Sequence, residues 1–238
     1  MATSTGLSII QSTLSEVGLP SPTSLVGTTD NAALQCLAIL NGLGQELIEG
    51  DDWQVMMSSQ QFTGDGVAQD FPLPADFSRH ISQTGWDNTN HWEMRGPATP
   101  SQWNWLTKGI ISTGPRVWYR IIGNNIRVFP IPGAGQVFTI EYIKQNWVQD
   151  ANSPTTYKNS ITKDGDIPVF NFRMLIAGLK TKFWGIKGFD TSGLESEYLS
   201  LKDLAIANQS PSPSLSLAPQ AANLLIGVQN LPETGYGS

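Results

Sequence analysis

Helical periodicity marks both ends of this chain, whereas residues 53–163 lack it. Near the N-terminus, apolar residues recur at intervals of three and four, which is typical of a helix buried on one face. These residues are Leu7, Ile10, Leu14 and Val17. A second helix is expected to follow Asp30, whose carboxylate can cap it, and to extend to about Gly50. Two helices are therefore predicted before the middle of the chain.

The strongest amphipathic pattern lies after the middle region. Apolar residues again step by three and four along one helix face, at Val169, Phe172, Ile176, Leu179, Phe183 and Ile186. Asp166 is the predicted N-cap of this helix, and Gly188 is its predicted end. The inner face of a further helix is formed by Leu194, Tyr198, Leu201 and Ala205. Residues 168–208 are thus expected to form a hairpin of two helices.

The middle region, residues 53–163, is predicted to form a β domain. Two short apolar runs flank the sequence Gly-Asn-Asn at residues 123–125, which is typical of a β-hairpin turn. Residues 137–143 alternate between apolar and polar side chains, as in a strand with one buried face. The part between residues 86 and 118 is expected to be rich in loops, and its tryptophans include Trp86, Trp92, Trp103 and Trp105.

These patterns predict an α+β fold: an antiparallel four-helix bundle, an inserted β-sandwich or barrel-like domain, and an extended C-terminal arm. The predicted boundaries are 1–52 and 164–208 for the two halves of the bundle, 53–163 for the β domain and 209–238 for the arm. The arm begins with alternating Ser and Pro, but its later part is too apolar for a linker that makes no contacts. It is therefore expected to dock on a partner by wrapping or by strand addition. Its apolar residues include Leu215, Leu217, Leu224, Leu225, Ile226 and Val228.

Charge is sparse and segregated along the chain. Charged residues make up 14% of the sequence and the net charge is −6. Residues 1–78 carry nine acidic residues and no basic one, while all 14 Lys and Arg lie within residues 79–202. This distribution argues against a general nucleic-acid-binding surface. It favours pairing, within or between subunits, of an acidic set (Glu46, Glu49, Asp52) with a basic set on the third helix (Arg173, Lys180, Lys187).

Few residues are available for catalysis or metal binding. The chain has two histidines, His80 and His91, and one cysteine, Cys36, which lies in a helical apolar pattern and is expected to be buried and inert. No zinc, phosphate-binding or hydrolase motif occurs. We therefore predict a protein that is not an enzyme and needs no cofactor or metal. No apolar stretch reaches about 18 residues, so no membrane span is expected.

An alternative function rests on the tryptophan-rich segment. Trp86, Trp92, Trp103 and Trp105 would form a sugar-binding platform if they were exposed and coplanar, which would make the chain a carbohydrate-binding β-sandwich on a helical stalk. The other interpretation is that these tryptophans serve in the core or in a protein interface. Their exposure distinguishes the two.

Four separated elements together resemble one protein family. They are residues 49–53 (Glu-Gly-Asp-Asp-Trp), residues 71–79 (Phe-Pro-Leu-Pro-Ala-Asp-Phe-Ser-Arg), residues 128–133 followed by 138–143 and Trp147, and residues 179–184 followed by Gly188 and the helix containing Glu195. In this order and spacing they resemble the head-to-tail adaptor proteins of short-tailed bacteriophages, the group that includes tail tubular protein A. The resemblance covers about residues 30–205.

The resemblance implies a virion structural protein in the tail or neck of the particle, assembled in the host cytoplasm. It implies a dodecameric ring below the portal protein that continues the DNA channel without binding DNA specifically. The helical bundle would form the ring wall, and the six apolar arm residues named above would bind the portal. The β domain, with the four tryptophans named above, would face tail nozzle or tail fibre proteins.

Overall fold

A computed structural model describes residues 4–109 and 117–209 of the chain. Its five helices within these ranges are α1 (Gly6–Val17), α2 (Asn31–Gly50), α3 (Pro100–Lys108), α4 (Phe172–Ile186) and α5 (Ser192–Gln209). The predicted first and second helices are confirmed. Asp30 caps α2 by accepting a hydrogen bond from the Ala32 N–H at 2.9 Å. Gly18 ends α1 in the left-handed conformation, with φ of +78°.

The region between α2 and α4 is built mainly from short antiparallel strands. A single turn of 3-10 helix, Gln54–Met56, leads into the first strand. The strands are β1 (Met57–Thr63), β2 (Asp70–Pro72), β3 (Phe77–His80), β4 (Trp86–Asp87), β5 (Trp92–Glu93), β6 (Trp118–Ile122), β7 (Asn125–Phe129), β8 (Val137–Lys144), β9 (Val148–Asp150), β10 (Ser153–Lys158) and β11 (Ile167–Pro168). The predicted β6–β7 hairpin and the predicted strand β8 are confirmed.

The described strands divide into three sheets rather than one closed barrel. In the first sheet, β8 pairs with β1 on one side and with β3 and β4 on the other, and β5 extends the sheet from β4. The second sheet has the order β2-β7-β6, and the third has the order β10-β9-β11. A parallel bridge between Arg95 and Trp118 connects the first sheet to the second. The result is a mixed α+β fold.

Two apolar cores hold the fold together. One lies between the first two sheets and is centred on Tyr119, Val128, Phe138 and Ile140. The other lies among the helices, but residues outside the helices also enter it, including Trp53, Trp147 and Val148. The helical core and the strand region are thus joined by shared packing.

Helix α4 is central among the helices, since it packs against α1, α2 and α5. Three of the six residues of the predicted apolar stripe are buried, Ile176, Leu179 and Phe183, whereas Ile186 at its end is exposed. Helix α5 contributes one fully buried residue, Ala205. The four long helices therefore do not contribute equally to one bundle interior.

The prediction for Asp166 was wrong. Helix α4 begins six residues later, at Phe172, and Asn171 caps it. Pro168 instead belongs to β11, where it pairs with Val148. Asp166 is fully buried and accepts hydrogen bonds from the backbone N–H groups of Ala151, Thr162 and Lys163 at 2.7 to 3.1 Å.

The loop around Asp166 fastens α1 and the connection that follows it. The Asp166 carbonyl accepts a hydrogen bond from the Gly6 N–H at the start of α1, at 2.7 Å. The Asp164 carboxylate accepts hydrogen bonds from the Leu25 N–H and the Ser24 hydroxyl, at 2.6 and 2.7 Å. This loop therefore ties together segments about 140 residues apart in the sequence.

Helix α3 was not predicted. It begins with a full capping box, in which Thr99 Oγ1 accepts from the Gln102 N–H and Gln102 Oε1 accepts from the Thr99 N–H. Pro100 at the first helical position favours the same start. The sequence Thr-Pro-Ser-Gln carried this signal, but the expectation of a loop among the Pro and Trp residues obscured it.

Candidate interaction site

The predicted acidic and basic sets pair with other residues than those proposed. Glu46 pairs with Lys182 at 2.5 Å, and Asp52 pairs with Arg79. On α4, both Arg173 and Lys180 pair with Glu16 of α1, at 3.3 and 3.0 Å. Within the described residues, none of the predicted pairs between the two sets forms.

The remaining two residues of these sets also lack the expected partners. Lys187 Nζ lies 5.2 Å from the centre of the Phe183 ring, and no ion pair involves Glu49 in the part of the chain that the structure describes. Sequence reasoning missed Lys182 and Glu16 because they do not belong to the seven-residue repeat. Their pairing depends on how α1 and α2 pack on α4.

These surface ion pairs contribute little stability, because exposed pairs are typically worth about 0–1 kcal/mol. Their importance is for the charge that this surface presents to another molecule. Lys180 and Lys182 of α4 are paired inside the subunit, so the C-terminal end of α4 presents apolar side chains beside one cation, Lys187, which has no ion pair among the described residues.

An apolar surface, which we call the α4-end surface, consists of Leu19, Ile186 and Phe189. Ile186 and Phe189 expose 60% and 58% of their area, which is high for large apolar side chains. Two open grooves of about 420 and 430 Å³ flank the last turns of α4. Leu19 and Phe189 line the first groove and Ile186 lines the second.

Helix α5 adds further exposed apolar side chains, Leu199 and Leu204, on its outer sides. Its inner side is held by Tyr198, whose phenol pKa is raised to about 12 by burial and by the nearby carboxylates of Glu46 and Asp51. Lys202 pairs with Asp51 at 2.8 Å and so anchors α5 to the end of α2.

The four tryptophans do not form one platform. Trp103 is buried, packs edge-on against Phe129 and lies under the Arg120 guanidinium, so it is a core residue. Trp105 is 65% exposed on the other side of the short helix α3.

Trp86 and Trp92 are also exposed, but they point to opposite faces. In the β4–β5 pair, Trp86 lies opposite Glu93 and Trp92 lies opposite Asp87. Because successive side chains alternate between the two faces of a strand, the two rings cannot lie coplanar on one face. This geometry disfavours the carbohydrate-binding alternative.

The titratable groups considered for catalysis are held in packed surroundings. His80 Nε2 lies 2.7 Å from Tyr119 Oη, and burial lowers the pKa of His80 and raises that of Tyr119 to about 12. Both groups therefore stay neutral near pH 7. Cys36 is fully buried, and burial raises its thiol pKa to about 11, as expected for an inert thiol.

Two further features bear on the type of protein. No group of three or more potential metal-ligating side chains occurs among the described residues. None of the described helices is both long and apolar enough to span a membrane.

Comparison of the chain with models of protein families identifies one matching family. A family model described as SU10 adaptor protein matches residues 7–168, which include α1, α2 and the whole strand region. The comparison with curated proteins found no match.

Proposed function

The chain belongs to the SU10 adaptor protein family, and from this membership we propose that it forms the ring that joins the head of a bacteriophage particle to its tail. The family is one of phage structural adaptors, which interact with other virion components. In this proposal the ring is dodecameric, lies below the portal protein and continues the DNA channel. The protein carries out no reaction.

The proposed division of labour follows the segments of the chain. The helices of residues 1–52 and 164–208 act together as a four-helix ring wall, and residues 53–163 project towards tail nozzle or tail fibre proteins. Trp86, Trp92 and Trp105 are the candidate tail-facing residues, since each is exposed. The arm, residues 209–238, lies almost wholly outside the described residues and is proposed to bind the portal during assembly in the host cytoplasm.

The family match carries this proposal, and the α4-end surface supports a specific form of it. Lys180 and Lys182 are already paired within the subunit, so contacts between neighbouring subunits would be mainly apolar there, with Lys187 beside them. We therefore assign the subunit contact to Ile186 and Phe189 rather than to the predicted acidic and basic sets.

The direct test is assembly on the cognate portal. The full chain is mixed with purified portal protein from the phage whose genome encodes it, and the mixture is examined by electron microscopy and native mass spectrometry. We expect a twelve-subunit ring on the portal and monomers without the portal, because each contact is modest in area. A chain that stays monomeric with the portal would contradict the proposal.

Replacing both Ile186 and Phe189 with glutamate is expected to prevent ring formation while the fold remains intact. The added carboxylates would be buried without partners at the contact, whereas in the monomer they would be solvated. Thermal unfolding should change little, since substitutions of exposed residues usually change stability by less than about 0.5 kcal/mol. Assembly on the portal is the measurement.

A matched control replaces Val67 and Ile131, which are exposed apolar residues of the strand region, with glutamate. This variant should assemble normally. If both double variants assemble like the unaltered protein, the α4-end surface is not the subunit contact.

Deleting residues 210–238 is expected to leave a folded protein that no longer attaches to portal-bearing heads. The reason is the arm's apolar residues, which would lose their partner surface. A pull-down with portal-bearing heads measures attachment, and circular dichroism checks the fold. Unchanged attachment would show that the arm does not bind the portal.

A further inference from the structure

Strand β1 has an unpaired edge without the usual protection. β8 pairs with one side of β1, and on the other side no described strand is paired with it. Exposed edges are normally protected by charged residues, prolines or bulges. The seven residues Met57–Thr63 include neither a charge nor a proline, and their register with β8 has no irregularity.

The hydrogen bonds of β8 show which of its residues face β1. The Val137 carbonyl accepts from Asn88 N–H at 2.9 Å, and the Glu141 carbonyl accepts from Ile81 N–H at 3.2 Å. Both donors lie on the side of β3 and β4. Because backbone direction alternates along a strand, the residues between these, such as Ile140, direct their backbone groups towards β1.

The register then identifies the outward backbone groups of β1. Ile140 pairs with Gln60, so Gln60 and its alternate neighbours bond to β8. Ser59, Gln61 and Thr63 direct their N–H and C=O groups to the free edge. No hydrogen bond among the described residues reaches these groups. The edge thus offers three successive outward positions to another strand.

Strand β2 belongs to the second sheet and does not pair with this edge. The two strands are connected by a side chain, since Gln60 Nε2 donates to the Pro72 carbonyl at 2.8 Å, and no backbone hydrogen bond joins them. Gln60 Oε1 is buried and, within the described residues, accepts no hydrogen bond. Strand β2 carries Asp70 and Pro72, residue types that disfavour strand addition, whereas β1 carries neither a charge nor a proline.

The end of α5 lies next to the start of β1. Gln209 Oε1 accepts a hydrogen bond from the Val55 N–H at 3.4 Å, two residues before β1 begins. A groove of about 270 Å³ lies at this junction, and its lining includes Trp53, Met57 and Gln209. The chain therefore leaves the described structure beside the first residue of β1.

We propose that the free edge of β1 binds residues 224–228 of the same chain as an added antiparallel or parallel strand. This segment, Leu-Leu-Ile-Gly-Val, is uncharged like the edge that would receive it, and it contains Ile226 and Val228, which favour strands. The 14 intervening residues, 210–223, can span up to about 46 Å, whereas β1 is about 23 Å long. The segment can therefore reach any position on the edge in either direction.

This pairing concerns the protein before it meets a partner and does not depend on the adaptor function. The same apolar residues are proposed above to bind the portal, so they would leave β1 when the portal is bound. Before the portal is bound, the arm would stay paired with the edge of β1, and this pairing would keep the edge from binding strands of other chains.

Hydrogen exchange of the full-length protein tests the proposal. In the unaltered chain, we expect the amides of Ser59, Gln61 and Thr63 to exchange at least about tenfold more slowly than in a variant with Leu225→Pro and Ile226→Pro. Two adjacent prolines remove at least one N–H that would face β1, whichever way the segment lies. The matched control, Thr234→Pro with Gly235→Pro, should leave the protection unchanged. Equal exchange in all three proteins would overturn the proposal.

Disulfide trapping identifies the occupant and does not depend on exchange rates. Ser59→Cys is combined in turn with a cysteine at each of positions 224, 225, 226, 227 and 228, and Cys36 does not interfere because it is buried. At least one pair should oxidise to a bond within a single chain, seen as a faster-migrating monomer on a non-reducing gel. Bonds only between two chains, or no bond at all, would overturn the proposal. Portal binding, measured separately, would be unaffected by that outcome.

Discussion

Replacing Asp166 with alanine is expected to lower the free energy of unfolding by about 3 kcal/mol or more, because each buried hydrogen-bond donor left without an acceptor costs about 1–3 kcal/mol. Asp166 is completely buried and lies 2.6 Å from Lys158 Nζ. Its removal would leave three backbone N–H donors without their acceptor, whereas Lys158 would keep Asp150 and Thr162 as partners. Urea unfolding followed by tryptophan fluorescence measures the change. Asp65→Ala, at an exposed loop carboxylate that also accepts two backbone hydrogen bonds, is the matched control and should cost much less.

The same carboxylates predict how stability depends on pH. Burial opposes ionisation of Asp166, but Lys158 and the backbone donors outweigh it and hold its pKa below the usual value. The Asn152 N–H and Lys163 lower the pKa of the neighbouring Asp150 to about 2. A lowered pKa in the folded state stabilises the protein above the unfolded pKa of about 3.9, and this stabilisation is lost as the pH falls towards the folded value.

We therefore expect the unaltered protein to lose stability between about pH 4 and pH 2, and Asp166→Asn to lose less over the same range, because one titrating carboxylate is absent. If the Asp166→Ala variant unfolds at the same urea concentration as the unaltered protein, the hydrogen bonds to Asp166 do not stabilise the fold.

Two glycines of α2 are expected to respond oppositely to the same substitution. A Cβ atom at Gly44 would lie 2.1 Å from the ring of Trp147, which is itself completely buried. Gly44→Ala should therefore destabilise the protein by about 1–3 kcal/mol or more, the usual cost of overpacking a core. A Cβ atom at Gly42 would meet no atom within 4 Å. Gly42→Ala should stabilise the helix by up to about 1 kcal/mol.

Thermal and urea unfolding of the two single variants, compared under identical conditions, measure these effects. The pair controls for helix propensity, because both changes are made inside one helix. Equal effects of the two substitutions would mean that Trp147 does not pack on Gly44. Gly42 lines the groove beside Ile186, so the Gly42→Ala variant is compared for stability and not for assembly.

Much of the fold was predictable because its signals are local. The apolar stripe that predicts α4 and the Gly-Asn-Asn turn each depend on residues within a few positions of one another, and the helix and the hairpin are confirmed, while Ile186 at the end of the stripe is exposed. The capping box of α3 was a local signal too, and recognising Thr99 and Gln102 as a pair would have found it. The domain boundaries remain predictions, since Trp147 and Val148 of the strand region share a core with the helices.

The candidate site was less predictable because it depends on distant residues. The heptad spacing of Arg173, Lys180 and Lys187 correctly placed two cations on α4 and the third at its C-cap, but it could not indicate that Glu16, more than 150 residues away, would pair with the first two. The exposure of Phe189 and the free edge of β1 also depend on which distant segments of the chain pack beside them. Hydrophobic periodicity, which is a local property, gives no information about these distant contacts.

By itself, the sequence determined the type and order of the four long helices, the β6–β7 hairpin and strand β8, much of the buried face of each helix and the membership suggested by its four motifs. Hydrophobic periodicity and capping act over one or two turns, so the residues that cause them are adjacent in the chain. Only the tertiary structure showed that Asp166 is a buried acceptor for three backbone N–H groups rather than a helix cap, and that Trp86 and Trp92 lie on opposite faces. It also showed that the charged side chains of α4 form ion pairs within the subunit. Each of these results from contacts between segments far apart in sequence, where the energy of a polar group is set by the partners that packing brings to it.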